Sequence, residues 1–305
     1  MEKARILLFL LVIAPLCSAF TDLPVKPQSQ FEDVTMDVPY ITTSRKAVDK
    51  ILEMAQVGPQ DLLYDLGSGD GRIVIAAAEQ RGARGVGVEI DGELVRESRR
   101  KAAKAKVADR VEFIESDLFQ VDFSRATVVT LYLMPDLNLR LRPTLLTTLR
   151  PGSRVVSHTW DMGEWQSDQA ALSPSQPLRL FPDKTFRRSY IYLWIIPANF
   201  SDVWEWRDGD GKTSRQLRIV QRFQKAEGVW NGERGEQPAV VTISGDRIRV
   251  AGAAGGNQKT PEPVFEGRIG GDVIEGTVTL PGGPQHETRP WKAVRRPNTM
   301  TPLGE

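Results

Sequence analysis

Two histidines and one cysteine in 305 residues leave this chain little with which to build several common kinds of site. One thiol forms no internal disulfide and supplies no cysteine cluster for zinc or iron–sulfur chemistry, and no metal is expected. Lysine plus arginine (40) nearly equals aspartate plus glutamate (39), so bulk charge gives no sign of nucleic acid. Long apolar runs are also missing. The stretch from Ile6 to Leu16 falls short of the about 20 residues a spanning helix needs.

That stretch has a different reading. Lys3 and Arg5 precede it and Cys17-Ser18-Ala19 follow it, the charged, apolar and small-residue zones of a secretory leader with cleavage expected after Ala19. An uncleaved anchor would also leave the bulk of the chain outside. The expected location is therefore periplasmic, extracellular or at a membrane surface through the N-terminus, with a cytosolic site as the alternative.

The most informative segment is Leu62-Leu63-Tyr64-Asp65-Leu66-Gly67-Ser68-Gly69-Asp70-Gly71-Arg72. It reads as an apolar strand ending in an acid, a glycine loop, and a helix start whose free N–H groups face the loop. A dinucleotide fingerprint wants G-x-G-x-x-G and a pyrophosphate on that helix. Here the glycines stand at 67, 69 and 71, and Asp65 would repel a pyrophosphate while pairing with an α-amino group. The loop Gly67, Ser68, Gly69, Asp70 and Gly71 thus suits a nucleoside carrying an amino acid, S-adenosylmethionine above all.

Three further strands support this. Gly85-Val86-Gly87-Val88 ends in Glu89, placed to accept two ribose hydroxyls, with Ile90 as the apolar wall beside an adenine. Val111–Glu115 runs into Asp117 and Leu118, where Asp117 is assigned to accept from the adenine amine, against the plainer reading of a turn cap. Ala126-Thr127-Val128-Val129-Thr130-Leu131 ends at Tyr132, facing the place of the transferable methyl.

On these residues, together with Val38-Pro39-Tyr40-Ile41-Thr42-Thr43 and Leu133-Met134-Pro135, the chain from about Val38 to Pro197 resembles class I, seven-strand S-adenosylmethionine-dependent methyltransferases. It is most similar to bacterial relatives of the mitochondrial lysine methyltransferases that modify the ATP synthase c-subunit and the adenine nucleotide translocase. The resemblance implies a Rossmann-like α/β fold with helices on both faces of the sheet, and a protein lysine as acceptor. It also implies that Tyr40 and Thr42 close over the cofactor or the substrate channel. The leader and an added C-terminal segment depart from that family.

The chain divides into a leader (1–19), a linker (20–37), the methyltransferase domain (38–198), a β-rich domain (199–297) and a tail (298–305). Before the glycine loop, Ser44 or Thr43 caps a helix with Ala47, Val48, Ile51, Leu52 and Ala55 on one face. Arg99, Arg100, Lys101 and Lys104 read as a solvated helix face. Pro143 is expected to start or kink a helix. From Asn199 short strands with turns such as 244–246 and 270–272 predict a small barrel or sandwich closing near Trp291. Asp208 and Asp210 read as a plain turn, lacking the other ligands of a calcium loop.

Methyl transfer from a sulfonium needs alignment of nucleophile, methyl and sulfur, with no metal or covalent intermediate. Tyr40 and Tyr132 are placed at the reacting centre, and Thr42, Trp160 and Asp161 on the acceptor side; an aromatic channel would keep a lysine amine neutral and face the sulfonium. His158 reads as a base or, more commonly, as a buried hydrogen-bonded histidine. Three functions stay open: transfer to a protein lysine, transfer to a small molecule, and a non-catalytic exported binding protein that keeps the fold.

Overall fold

A computed structural model describes residues 42–174, 178–179, 186–207, 214–232, 235–252, 263–280, 287–297 and 303. The leader, the linker, Tyr40 and the 208–211 turn lie outside these residues.

Five strands are parallel neighbours: β1 (Leu62–Leu66), β2 (Arg84–Glu89), β3 (Val111–Glu115), β4 (Val128–Leu131) and β5 (Arg154–His158). Two short antiparallel partners, β6 (Gln169–Leu172) and the two-residue pair β7 (Leu178–Arg179) with β8 (Phe186–Arg187), precede β9 (Tyr190–Ile195). The main sheet has seven strands in the order β3-β2-β1-β4-β5-β9-β6, with β9 antiparallel to β5 and β6 on its edge. The chain leaves β1 toward β2 and β3, then crosses back to β4 and β5. That reversal opens a crevice at the carboxyl ends of β1 and β4.

Helices cover both faces, as apolar parallel strands require. α1 (Arg45–Met54), α2 (Arg72–Arg81) and α3 (Gly92–Lys104) lie on one face, burying Ile51, Leu52, Val74, Ala77 and Val95 against Leu63, Val128 and Val156. Ser44 caps α1 by accepting from Ala47 N (3.3 Å), and Asp91 caps α3 by accepting from Glu93 N (2.8 Å). α4 (Pro135–Thr148) packs Leu141, Leu145 and Leu146 on the other face. Pro143 neither starts nor splits this helix. Its ring frees the carbonyl of Leu139, and Leu139 is 41% exposed, so the lost bond falls on the solvent-facing side of the helix.

The C-terminal strands form a closed barrel rather than a sandwich. β10 (Asp202–Arg207), β11 (Ser214–Arg222), β12 (Lys225–Gly232), β13 (Gly235–Ser244), β14 (Arg247–Gly252), β15 (Val264–Gly270), β16 (Val273–Leu280) and β17 (Glu287–Arg295) pair in sequence order, all antiparallel. β17 returns to β10 through Trp204↔Arg295, which removes every sheet edge. Alternate residues such as Trp204, Leu217, Ile219, Ile248, Phe265, Ile274 and Trp291 fill the interior. The seam is held by Arg295, whose Nη1 donates to Asp202 Oδ2 (2.8 Å) and Ser201 O (3.0 Å) and whose Nη2 donates to Asn199 O (2.8 Å). Both domains belong to one compact unit.

Arg295→Leu leaves Asp202 buried without a countercharge. The expected loss is about 3–5 kcal/mol of barrel stability in denaturant unfolding; a loss of under about 1 kcal/mol would contradict this account of the closure.

Candidate functional site

The glycine loop after β1 is left-handed at Gly67 (φ +79°), Gly69 (+53°) and Gly71 (+74°). Gly67 N and Ser68 N both donate to Val88 O at 2.9 Å, folding the loop across the end of β2. A Cβ at Gly71 would lie 2.5 Å from the Phe113 ring and 2.8 Å from Ser98 Oγ, so this position has no room for a side chain in addition to its backbone demand. The Ser98 hydroxyl donates to Gly69 O (3.0 Å).

Asp70 is clamped. Arg72 donates to both of its oxygens (2.8 and 2.7 Å) and Lys101 donates to Oδ2 at 2.6 Å. Burial pushes its pKa up, but the two cations outweigh that and bring it to about 2. Lys101 is therefore more than part of a solvated face: it ties α3 to the glycine loop. Arg72 also reaches Thr43 O (2.8 Å), pinning the segment that carries Thr42, itself exposed.

Among the described residues Asp65 is paired with no such cation. Only 3% exposed, it accepts from Thr130 Oγ1 at 2.7 Å. Burial raises its pKa to about 7; the Thr130 hydrogen bond pulls the other way, and the charges of Glu89 and Asp70 add to the rise. Glu89, at the end of β2, accepts from Gly69 N (2.8 Å), Ile90 N (2.8 Å) and Asp91 N (3.0 Å), which fixes its carboxylate against the loop. Ile90 is 73% exposed beside it, an apolar surface with nothing of the described chain over it. Ser68 Oγ is buried without a hydrogen-bond partner among the described residues.

The other residues singled out in the sequence line the same carboxyl edge. Asp117 follows β3, and its carboxylate caps the single turn of 3-10 helix Leu118–Gln120 by accepting from Phe119 N (2.9 Å). Tyr132 follows β4 and packs its ring 4.3 Å from that of His158; burial raises its phenol pKa, against a hydrogen bond with Thr159. His158 is 2% exposed, with Nδ1 3.4 Å from Thr43 Oγ1 and Nε2 2.9 Å from Ser173 Oγ. Burial drops its pKa to about 4, so it is neutral near pH 7. Trp160 is half-buried after β5, and exposed Asp161 accepts from Gly163 N (3.0 Å).

Between His158 and Trp160 the backbone is strained. Thr159 has φ +75°, and Trp160 N donates to His158 O (3.0 Å), a γ-turn that a β-branched residue rarely adopts. Asn138 on α4 holds the outgoing chain, its Nδ2 donating to Ser157 Oγ (3.1 Å), Trp160 O (3.2 Å) and Asp161 O (3.3 Å). Sequence reasoning missed Asn138 and Thr130. Both carried a signal: Asn138 falls on the 138-141-145 stripe that faces the sheet, and Thr130 is a hydroxyl within an apolar strand next to Asp65.

The crevice fits the nucleoside inferred from the sequence. It offers a buried acid held well above the usual carboxylate range, a second fixed acid, an exposed apolar wall and a loop of bare backbone. A family model described as the ANTKMT methyltransferase domain matches residues 65–169. A protein-lysine N-methyltransferase of Saccharolobus islandicus (strain REY15A) is 44% identical over 157 residues, which are 51% of this chain and 93% of that relative. The chain belongs to the S-adenosylmethionine-dependent protein-lysine methyltransferase family. The adenine nucleotide translocase lysine N-methyltransferase of Mus musculus is 35% identical over 132 residues, 43% of this chain and 57% of that relative. A crystal structure of an RNA methyltransferase from Salinibacter ruber in complex with S-adenosyl-L-homocysteine is 49% identical, covering 52% of this chain and 96% of that one with a TM-score of 0.46.

Two predictions follow from Asp65. If its ionised form holds the ligand's ammonium, S-adenosylhomocysteine affinity measured by calorimetry weakens toward about tenfold per pH unit below pH 7 and is flat above about pH 8; pH-independent affinity would refute that role. A raised carboxyl pKa favours the native state below the ordinary value of 3.8, and that advantage is lost as pH rises through about 7. Asp65→Asn therefore stabilises the ligand-free protein at pH 8, by up to about 4 kcal/mol, with the gain shrinking toward pH 4, while abolishing binding. A destabilised variant at pH 8 would contradict this.

Proposed function

We propose that this methyltransferase modifies the side-chain amine of lysine in a protein, and that its crevice residues divide between donor and acceptor. The observation that carries the proposal is the 44% identity across 93% of a protein-lysine N-methyltransferase. On this reading Asp65 holds the amino group of S-adenosylmethionine, Glu89 its ribose hydroxyls and Ile90 its adenine, with Asp117 and Leu118 at the base edge. The bound sulfonium supplies an activated methyl group. Tyr132 and Trp160 line the approach of the acceptor, and Asp161 and Thr42 stand at its entrance.

His158 contributes packing rather than proton transfer. Its two ring nitrogens lie beside Thr43 and Ser173, and it stays neutral above about pH 4. The lysine amine must then lose its proton on the way in, as an apolar, aromatic approach favours by desolvation. The rate should accordingly rise with pH across the neutral range, without an inflection from His158.

The test is labelled methyl transfer into an extract of the source organism, followed by separation of protein, RNA and small molecules. Acid-stable label released from the protein fraction as methyl-lysine is the expected result. Label confined to RNA or small molecules would overturn the acceptor assignment.

A further inference from the structure

Three barrel hairpins turn through two-residue loops whose first residue is left-handed. These are Gly245 (φ +59°) between β13 and β14, Gly271 (φ +64°) between β15 and β16, and Phe223 (φ +56°) between β11 and β12. Glycine takes this backbone freely, whereas a side chain there costs about 1–2 kcal/mol. The third hairpin accepts that strain for a ring that leaves the barrel. Phe223 is 4% exposed within the methyltransferase core, stacked on Trp165 (centroids 6.0 Å apart, 21° between planes), with the Arg142 guanidinium 5.5 Å from its ring.

Its neighbours grip the same segment. Gln224 Oε1 accepts from Trp165 Nε1 (2.9 Å), Gln224 Nε2 donates to Gln166 O, and Arg222 pairs with Glu164 (2.6 Å). Trp165 is in turn fixed to β9, since its carbonyl accepts from Trp194 Nε1 (2.8 Å). Residues 159–166 are thus held near one end by the strained turn at Thr159 and by Asn138, which bonds the carbonyls of Trp160 and Asp161, and at the other end by the barrel. Trp160 and Asp161 belong to this segment. The 157 residues shared with the Saccharolobus relative already make up 93% of it, which leaves no room there for an eight-strand barrel.

We propose that Phe223 and Gln224 are positioning residues for the methyl acceptor: the hairpin tip of the barrel holds loop 159–166 in the shape that sets Trp160 and Asp161 beside the incoming amine. The proposal rests on the acceptor-side reading of that loop given above. Their action is through the loop, so cofactor binding at β1 and β2 should not sense them.

The experiment uses the full chain as wild type, Phe223→Ala, Phe223→Leu and Gln224→Ala. Amide hydrogen exchange of 159–166, calorimetry with S-adenosylhomocysteine, and the initial rate of labelled methyl transfer into the protein fraction of the source extract are measured on each. Phe223→Ala should speed loop exchange and lower the transfer rate by on the order of 10–100-fold, since small misplacement of reacting groups has effects of that size. Phe223→Leu should restore most of both, and ligand affinity should stay within about twofold throughout. If Phe223→Ala does not fold, Gln224→Ala carries the test, with faster loop exchange and slower transfer expected. Unchanged loop exchange and rate in a folded variant that binds the ligand would overturn the proposal. Wild-type protein that binds no S-adenosylhomocysteine would instead overturn the methyl-donor reading.

Discussion

Asp65 lies near the end of β1, shielded from water, with Thr130 donating to it and two more acids for neighbours. Placing a carboxylate there costs native-state stability unless a positive charge arrives. Among the described residues none is paired with it. Arg72 and Lys101 donate instead to Asp70, which ties α3 and the start of α2 to the glycine loop. What remains is a crevice short of a cation, with an apolar residue exposed at its rim. Such a site is completed by a ligand that combines an ammonium with a nucleoside, the chemistry of this family's methyl donor.

The two sides of the crevice are fixed by different means. On the donor side the backbone does the work: left-handed glycines allow the loop to fold over β2, and Phe113 and Ser98 occupy the space a side chain at Gly71 would need. On the acceptor side the constraint is packing under strain. Thr159 stays in its unfavourable turn because Ser189, Tyr190 and Asn138 hold the chain around it, and Phe223 stays in its own because the ring is buried. Strain of this kind persists only where surrounding contacts over-determine the conformation.

Much of this order is written locally. The acid–glycine run at 65–71, the alternating β2 and the capping residues Ser44 and Asp91 state their conformations within a few positions, and the elements fall where those signals put them. Elements without a local signature were not legible. β6 is an edge strand whose residues show no alternation, so nothing in Gln169–Leu172 marks it as a strand. Pro143 signals a break that the solvent-facing side of α4 absorbs. The turns at 245 and 271 announce short strands, but whether the strands close on themselves depends on the pairing of β17 with β10, residues far apart in the chain. Lys101 shows the same limit in the site. Its helix face is charged and looks solvated, and only the fold reveals Asp70 across from it.

The central claim, that the ligand's ammonium stabilises the charged form of Asp65, is tested most directly by carbon-13 NMR titration of the aspartate carboxyls with and without S-adenosylhomocysteine. The account requires one aspartate, lost in Asp65→Asn, that titrates near pH 7 in the free protein and moves well into the acid range when the ligand binds. An Asp65 signal that titrates near its ordinary value in the free protein, or does not move on binding, would contradict it.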